Sequence, residues 1–279
     1  MHRKFLLIYT VLLGLLVSSC NQANQRSGSS DTKAKSDVVN EDSAVVHQKA
    51  NTAAQIMAKQ QVPVLCYHRL SDGNKGDYTV SPVTFSAHMK VLADSGYHSV
   101  SPAQLYDYLV YNATLPAKPF AVTFDDSRVE HRTIAAPVLE KYGFRGAFFI
   151  MTITYNKKNY MTKDQIAELA KAGHTVGLHS WDHTMVTKYL EPTDWQKQVV
   201  EPKKKLEAIV GKPVEYWAYP NGVYNHKGAE ELSKYFKISF SLATKRNSIQ
   251  PLQSVRRIIV PECTPQGLLK SMRRSFTGR

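Results

Sequence analysis

The amino-acid sequence predicts an α/β fold, in which about seven or eight strand–helix units form a parallel sheet that closes into a barrel. From residue 62 onwards, short apolar runs with strand propensity alternate with longer helix-like runs, an order that is typical of parallel sheets. About 220 residues follow the polar N-terminal region, and this length suits one α/β domain with a sizeable core. An open, doubly wound sheet is the structural alternative, because composition does not distinguish it from a barrel.

The individual elements are assigned from apolar runs and from helix start signals. Ser81-Pro82 and Ser101-Pro102 each place a capping hydroxyl before a proline, which is a preferred helix start. The predicted strands are residues 62–67, 97–101, 119–125, 145–152, 174–178, 215–219, 237–242 and 256–260. The predicted helices begin at residues 82 and 102 or occupy 132–142, 162–173, 192–210 and 227–235, with room for one more within 50–61.

Three regions are predicted along the chain: a secretion signal in residues 1–19, a flexible polar tether in 20–60 and one folded domain in 61–279. The signal combines a basic start with an apolar stretch that is too short to favour a membrane-spanning helix. The segment after it is rich in Asn, Gln, Ser, Asp and Lys, so it buries too little apolar surface to fold.

The signal ends in Leu16-Val17-Ser18-Ser19-Cys20, which resembles a bacterial lipobox. The resemblance implies cleavage before Cys20 and attachment of lipid to that residue. We therefore expect a lipid-anchored protein of the cell envelope, periplasmic or on the cell surface. An ordinary signal peptide, cut nearby, is the alternative.

Charge and cysteine content narrow the class of protein further. The formal net charge is +13, which suits an anionic envelope surface, and no sequence motif points to nucleic-acid binding. Only Cys66 and Cys263 remain after Cys20, so a disulfide framework is excluded. One bridge between these two cysteines is an open alternative, although two free, buried thiols are expected.

Two adjacent carboxylates, Asp125 and Asp126, follow the apolar strand at residues 119–125. Two acids at the end of a buried strand repel each other and are costly to desolvate, so they need compensation. A cation is the simplest compensation, with one Asp as a ligand and the other free to act as a base. A solvated acidic turn is the alternative.

A second candidate is the histidine pair of His179-Ser180-Trp181-Asp182-His183. Histidines at positions i and i+4 lie on one face of a helix, as metal ligands often do, although chance pairs are common among ten histidines. Together with Asp126, His179 and His183 would form a site of two imidazoles and one carboxylate. Such a site suits a divalent ion that keeps positions open for water and substrate.

These two stretches, TFDDS and HSWDH in this order, resemble the first two motifs of the polysaccharide deacetylases, carbohydrate esterase family 4 with its NodB homology domain. The resemblance implies a distorted barrel with a single catalytic domain. It also implies that Asp125 is the base and that Asp126, His179 and His183 bind the metal. Zn²⁺ is the expected ion, with Co²⁺ or Ni²⁺ as alternatives.

The stretch VPVLCYHRL, followed by SPVTFSAHMKVLADSGYHSVS, resembles a subgroup of this family that includes the deacetylases of poly-N-acetylglucosamine. In that subgroup the motifs are rearranged, and an N-terminal histidine takes the place of the family's C-terminal catalytic one. Here no histidine follows His226. His68 is therefore the candidate general acid. On its own, a single histidine at a strand end is more often structural or exposed.

The remaining candidates surround Trp217-Ala218-Tyr219-Pro220-Asn221-Gly222, which resembles the subgroup's AYPYG motif. The backbone N–H of Asn221 could stabilise an oxyanion, while a plain turn is the alternative. Trp181, Trp217 and Tyr219 are candidates for a sugar groove, with buried packing as the alternative for the tryptophans.

Arg257 resembles the arginine of the subgroup that holds the catalytic Asp. The alternative is that Arg256 and Arg257 form a solvated basic pair. The sequence departs from the usual motifs at Ser127, where Gly is common, and at Asn221, where Tyr is common.

The resemblance implies a metal-dependent hydrolase that removes N-acetyl groups from an envelope or extracellular polysaccharide of the N-acetylglucosamine type. The expected partners are this polymer and, through the lipid anchor, a membrane. We expect the protein to be a monomer and not to bind nucleic acid. Two other functions stay open: an esterase that removes O-acetyl groups, and a glycan-binding module without activity.

Overall fold

The computed structural model describes residues 49–73 and 76–276. The predicted secretion signal, the predicted lipidation site Cys20 and most of the predicted tether lie outside these residues. The strands are, in chain order, β1 (Val64–Tyr67), β2 (Arg69–Leu70), β3 (Thr79–Val80), β4 (His98–Ser99), β5 (Pro119–Phe124), β6 (Ala147–Ile150), β7 (Thr175–Leu178), β8 (Tyr216–Ala218), β9 (Ile238–Ser241), β10 (Val255–Arg256) and β11 (Ile258–Ile259).

Helices connect and cover these strands. The α-helices are α1 (Ala53–Ala58), α2 (Pro82–Asp94), α3 (Pro102–Tyr111), α4 (Ala136–Lys141), α5 (Lys163–Lys171), α6 (Pro192–Trp195), α7 (Glu201–Val210), α8 (His226–Leu232) and α9 (Pro265–Phe276). Single π-helical turns precede α4 (His131–Ala135) and α7 (Gln196–Val200). The predicted caps are present, since the side chains of Ser81 and Ser101 accept hydrogen bonds from backbone N–H groups in the first turns of α2 and α3.

The sheet is parallel and nearly closed. Its strand order is β10-β9-β8-β7-β6-β5-β1-β11, with β4 paired to β5 outside this path. The predicted strand at 256–260 is divided at Arg257 into β10, which pairs with β9, and β11, which pairs with β1. One short segment therefore joins both edges of the sheet. The predicted barrel is confirmed, and the open doubly wound alternative is wrong.

Strand residues alternate between two packed clusters, as the two-residue period of a strand requires. One cluster contains barrel-facing side chains such as Val64, Ala121 and Phe149. The other contains helix-facing side chains such as Leu65 and Phe148, packed against residues of α2, α4, α5 and α7. This alternation decides which side chains at the strand ends point into the mouth of the barrel.

The register of β1 and β5 brings their C-terminal ends together. Tyr67 lies beside Phe124, so the next residues, His68 and Asp125, emerge side by side. The neighbouring strands continue the row, since the N–H of His179 donates to the carbonyl of Ile150 at 2.9 Å. Residues from three strand ends thus meet at one end of the barrel, where parallel α/β barrels carry their sites.

Residues 49–60, part of the range predicted as a tether, pack on the domain. The N–H and side-chain amide of Asn51 donate to the carbonyls of Val110 and Leu109, each at 2.8 Å, and Ile56 of α1 is buried. Among residues 49–73 and 76–276, none of the helices has the length and hydrophobicity of a membrane-spanning segment. Cys66 and Cys263 are both free, but Cys263 is only half-buried, so the expectation of two buried thiols holds for Cys66 alone.

Helix α9 and the short strands β2 and β3 were not predicted. Leu268, Met272 and Phe276 recur every four residues along α9 and are buried, and this spacing was the available signal. The strands β2 and β3 have two residues each, which is too short to show an alternating pattern of apolar and polar residues.

Candidate metal centre and active site

The two adjacent carboxylates point in different directions because the backbone turns sharply after β5. Asp126 and Ser127 both have left-handed backbone angles, with φ of 75° and 59°. Asp125 is therefore buried within the barrel mouth, while the side chain of Asp126 is 28% exposed and faces the pocket. The turn separates the two acids, as a division into ligand and base requires.

Ser127, at the position where the motif usually has Gly, adopts the left-handed conformation that glycine accepts most easily. Its hydroxyl is buried and accepts a hydrogen bond of 2.7 Å from the N–H of Met151 at the end of β6. The serine thus ties the turn to the next strand by a bond that glycine could not form.

Asp125 is held by Arg257. Nη1 of the arginine donates to Oδ1 and Nη2 donates to Oδ2, both at 2.7 Å, and both side chains are buried. Burial raises the pKa of Asp125, but the charge of Arg257 and its hydrogen bonds outweigh this effect and hold the pKa well below its usual range. Asp125 is consequently an ionised, fixed carboxylate.

Asp126, His179 and His183 converge at the pocket. Oδ1 of Asp126 lies 3.5 Å from Nε2 of each histidine, and the ligand atoms of the three side chains lie within 4.8 Å of one another. Nδ1 of His179 donates to the carbonyl of Ala218 at 2.7 Å, which leaves the Nε2 lone pair facing Asp126. Such an arrangement of the second ring nitrogen is usual for metal-binding histidines.

A divalent cation fits this group of side chains. Oδ1 of Asp126 is buried and has no hydrogen-bond partner in the structure, which would be unfavourable for a carboxylate oxygen without a cation. Two neutral imidazoles and one carboxylate form a donor set that zinc and similar ions bind, with room for further ligands.

The two histidines come together by a turn, so the predicted helical face is wrong. Residues 180–182 form a turn after β7, in which Ser180 and His183 have φ of 67° and 71°. The hydroxyl of Ser180 accepts a hydrogen bond of 2.8 Å from the N–H of His183 and so closes the turn. The spacing of four residues returns the chain to the same site without a helix.

His68 lies next to Asp125, with its Nε2 3.9 Å from Oδ2 of the carboxylate. Its carbonyl accepts a hydrogen bond of 2.5 Å from Nε2 of the buried His131, which fixes the backbone at the strand end. Burial lowers the pKa of His68, although the negative charge of Asp125 opposes this effect. The structure therefore places the predicted acid beside the predicted base and favours its neutral form when no substrate is present.

These groups line a pocket of about 330 Å³. Asn221 is exposed at its rim in a turn with φ of 56°. Gly222 is required beside it, because a Cβ there would lie 2.4 Å from the side chain of Leu242. The lining residues are His68, Arg69, Tyr78, Asp125, Asp126, His179, His183, Asn221, Gly222 and Leu242.

Trp217 and Tyr219 do not reach this pocket, so the prediction that they bind substrate is wrong. Both side chains are fully buried in the helix-facing cluster, and the hydroxyl of Tyr219 donates to the carbonyl of Gln253 at 2.9 Å. Strand alternation turns them away from the barrel mouth. Trp181 is half-buried outside the pocket lining, with Nζ of Lys197 4.5 Å from its ring centroid, and its proposed contact with substrate stays a prediction.

Sequence reasoning missed three lining residues: Arg69, Tyr78 and Leu242. Arg69 directly follows the candidate acid, and Tyr78 is an aromatic residue in an otherwise polar stretch between β2 and β3. Position next to a predicted strand end was the available signal for Arg69. Leu242 carried no signal, because its proximity to the site depends on how β9 packs against the turn at Gly222.

Comparison with known proteins finds similarity to polysaccharide deacetylases. Residues 112–235 match a family model described as polysaccharide deacetylase, a range that includes both carboxylates and both histidines but not His68 or Arg257. The chain is 28% identical over 237 residues to YxkH of Bacillus subtilis, which is named as a candidate polysaccharide deacetylase, and the match covers 84% of each chain.

Two further proteins extend the comparison over the full domain. The poly-beta-1,6-N-acetyl-D-glucosamine N-deacetylase of Staphylococcus aureus is 23% identical over 288 residues, and the match covers 96% of each chain. The deacetylase PplD of Streptococcus pyogenes, solved in complex with acetate, has the same fold, with a TM-score of 0.70 at 23% identity. That superposition covers 76% of this chain and 98% of PplD.

Proposed function

We propose that this chain, whose residues 112–235 match the polysaccharide deacetylase family model, removes N-acetyl groups from a polymer of the N-acetylglucosamine type by metal-dependent hydrolysis. One observation carries the proposal. Oδ1 of Asp126 has no hydrogen-bond partner and faces the imidazoles of His179 and His183, next to the carboxylate of Asp125, which Arg257 keeps ionised. The staphylococcal relative, which is named for N-deacetylation of poly-β-1,6-N-acetylglucosamine, supports the substrate class.

Asp126, His179 and His183 would hold the metal, and Zn²⁺ is the ion we propose from this donor set, with Co²⁺ or Ni²⁺ as alternatives. A divalent ion supplies Lewis-acid chemistry, because it polarises a carbonyl and makes water a better nucleophile. The protein's part is to fix the ligands, as the hydrogen bond from His179 to Ala218 does.

Asp125 is the proposed base. It lies in the pocket next to the metal ligands, with Oδ2 3.9 Å from Nε2 of His179. The two hydrogen bonds from Arg257 keep it ionised and prevent its rotation, so a water in the pocket would meet a carboxylate of fixed orientation. Arg257 acts through Asp125 and is a positioning residue.

His68 is the proposed acid. An amine leaves poorly from a tetrahedral carbon unless its nitrogen is protonated, so an amidase needs a proton donor on the leaving-group side. His68 lines the same pocket as Asp125, with its Nε2 3.9 Å from Oδ2 of that carboxylate. Since burial lowers its pKa, His68 would give up its proton readily once it is protonated.

The backbone N–H of Asn221 is the proposed oxyanion donor. Asn221 lies at the pocket rim, and the close approach of Gly222 to Leu242 fixes the turn that carries it. Because the proposed donor is a backbone group, the change from the usual Tyr to Asn at this position leaves the chemistry in place.

We also propose that Cys20 carries a lipid, which would anchor the protein in the cell envelope, and that the anchored protein is a monomer. The lipobox-like motif supports this proposal. Replacement of Cys20 by Ser should release the protein from the membrane fraction and abolish incorporation of a radiolabelled fatty acid. Unchanged labelling of Cys20→Ser would refute the proposed anchor.

The function is tested by measuring acetate release from a panel of N-acetylated and O-acetylated glycans, after chelation and with single metals added back. We expect release from N-acetylglucosamine polymers that is lost on chelation and restored by Zn²⁺, Co²⁺ or Ni²⁺. Release from O-acetylated glycans alone would show an esterase, and metal-loaded protein that releases no acetate from any glycan would refute the proposal.

A further inference from the structure

Tyr78 is an exposed aromatic side chain on the wall of the pocket. It is 52% exposed, and among the residues that the structure describes it is the only pocket-lining aromatic besides the histidines. The other aromatic candidates do not compete for a ligand there, since Trp217 and Tyr219 are buried and Lys197 lies over the ring of Trp181. Ligand pockets are commonly lined by aromatic side chains, and the exposed ring of Tyr78 is accessible to a ligand in this pocket.

The backbone holds Tyr78 in place at the site. Its carbonyl accepts a hydrogen bond of 3.0 Å from the N–H of Arg69, and the next residue, Thr79, begins β3. The ring centroid lies 5.1 Å from that of His68, with an angle of 64° between the rings. A group that packs on Tyr78 therefore lies directly beside His68 and within the same pocket as Asp125.

We propose that Tyr78 is the platform for the pyranose ring of the sugar that is deacetylated; this inference rests on the proposed function. A pyranose presents a face of C–H groups that packs on an aromatic ring, while the phenol hydroxyl remains free to bond a sugar hydroxyl. A sugar on Tyr78 would carry its 2-acetamido group towards the carboxylates and histidines. Tyr78 thus selects for a ring-shaped substrate and sets its distance from the reacting groups.

A different role would leave Tyr78 as a support for His68 alone, because the two rings are in contact. The two roles differ in what they change. A platform acts on the affinity for sugar and has no effect on a small ester that lacks a ring to pack. A support for His68 acts on the turnover rate and leaves the affinity for sugar unchanged.

The experiment compares Tyr78→Ala and Tyr78→Phe with the unsubstituted protein on a β-1,6-linked N-acetylglucosamine pentamer and on a small activated ester without a ring, such as trifluoroethyl acetate. For the pentamer we expect Tyr78→Ala to raise KM about two- to tenfold, the range measured for aromatic contacts, with kcat nearly unchanged. Tyr78→Phe should retain most of the affinity for the pentamer, and neither variant should change the kinetics on trifluoroethyl acetate, which has no ring to pack on residue 78. Leu190→Ala, another exposed apolar residue outside the pocket lining, serves as the control and should change nothing.

Calorimetric titration measures the affinity for the pentamer even where hydrolysis is too slow to follow. The pentamer is titrated into metal-loaded Asp125→Asn protein, with and without Tyr78→Ala. The same two- to tenfold loss of affinity is expected there, roughly. Equal affinity with and without Tyr78, no binding of the pentamer at all, or a loss confined to kcat would each overturn the inference. Hydrolysis of the pentamer that is unaffected by Tyr78→Ala would overturn this inference and leave the proposed function intact.

Discussion

Arg257 donates two hydrogen bonds of 2.7 Å to Asp125 from the one residue that separates β10 from β11. The same residue thus closes the barrel with its backbone and fixes the candidate base with its side chain. Because both groups are buried, the charge of each depends on the other. The segment that closes the barrel therefore also holds the candidate base in position.

Removal of one partner of this pair should destabilise the protein more than removal of both. Arg257→Ala leaves the Asp125 carboxylate buried without its partner, and we expect a loss of about 3–5 kcal/mol in the free energy of unfolding. The double variant Arg257→Ala, Asp125→Asn removes the uncompensated charge and should regain part of that loss. Urea unfolding of the metal-free proteins measures these values. Strictly additive losses would show that the two residues are not coupled.

The pair also predicts how stability depends on pH. The folded protein depresses the pKa of Asp125 below its ordinary value of 3.8, so the unfolded chain binds the proton more readily. The contribution of Asp125 is fully present above about pH 4 and is lost as the pH falls further. Acid unfolding of the metal-free protein should therefore be less steep for Asp125→Asn than for the unsubstituted chain. Identical slopes for the two proteins would contradict the depressed pKa.

Four site residues could be predicted from the sequence, because each follows an apolar strand or lies in a motif of fixed spacing: Asp125, Asp126, His179 and His183. Asp125 and Asp126 follow β5, and His179 follows β7, so parallel strands were enough to bring them to one edge. Spacing alone did not reveal the turn between His179 and His183, since four residues also fit a helix.

Other features depend on contacts that a linear pattern does not encode. Whether Trp217 faces the barrel or the helices depends on the phase of a three-residue strand, which is too short to set it. Arg257 was predicted within one strand, but its place between two strands follows from how β9 and β1 meet. Tyr78 reaches the pocket because β2 pairs with β3, with Arg69 in register with Thr79, and two-residue strands leave no pattern from which this pairing could be predicted.

Ser127 offers a test of the turn that separates the two acids. Ser127→Ala removes the hydroxyl that accepts from Met151 and leaves a buried N–H without a partner, so we expect a loss of about 1–3 kcal/mol in stability. Ser127→Gly loses the same bond but relieves the left-handed strain at this position, and it should lose less. Thermal or urea unfolding of both variants provides the comparison. If Ser127→Gly were less stable than Ser127→Ala, the left-handed backbone at residue 127 would not be strained.

His68 should matter for amides more than for activated esters. His68→Ala removes the proposed proton donor, and general-acid catalysis typically contributes about 100-fold or more on substrates with a poor leaving group. An aryl acetate departs without protonation, so its hydrolysis should fall much less. Metal content and the unfolding midpoint serve as controls. Equal losses on N-acetylglucosamine oligomers and aryl acetate would make His68 a positioning residue.

The most direct test of the account is the metal content of four single variants, measured by elemental analysis alongside acetate release. We expect Asp126→Asn, His179→Ala and His183→Ala to lose both stoichiometric divalent metal and activity, because their ligand atoms form one cluster around the orphaned oxygen of Asp126. Asp125→Asn should retain the metal and lose about 100- to 10,000-fold in rate, since it contributes the base and not a ligand. Full metal occupancy in both histidine variants, or loss of metal from Asp125→Asn while Asp126→Asn retains it, would contradict the account.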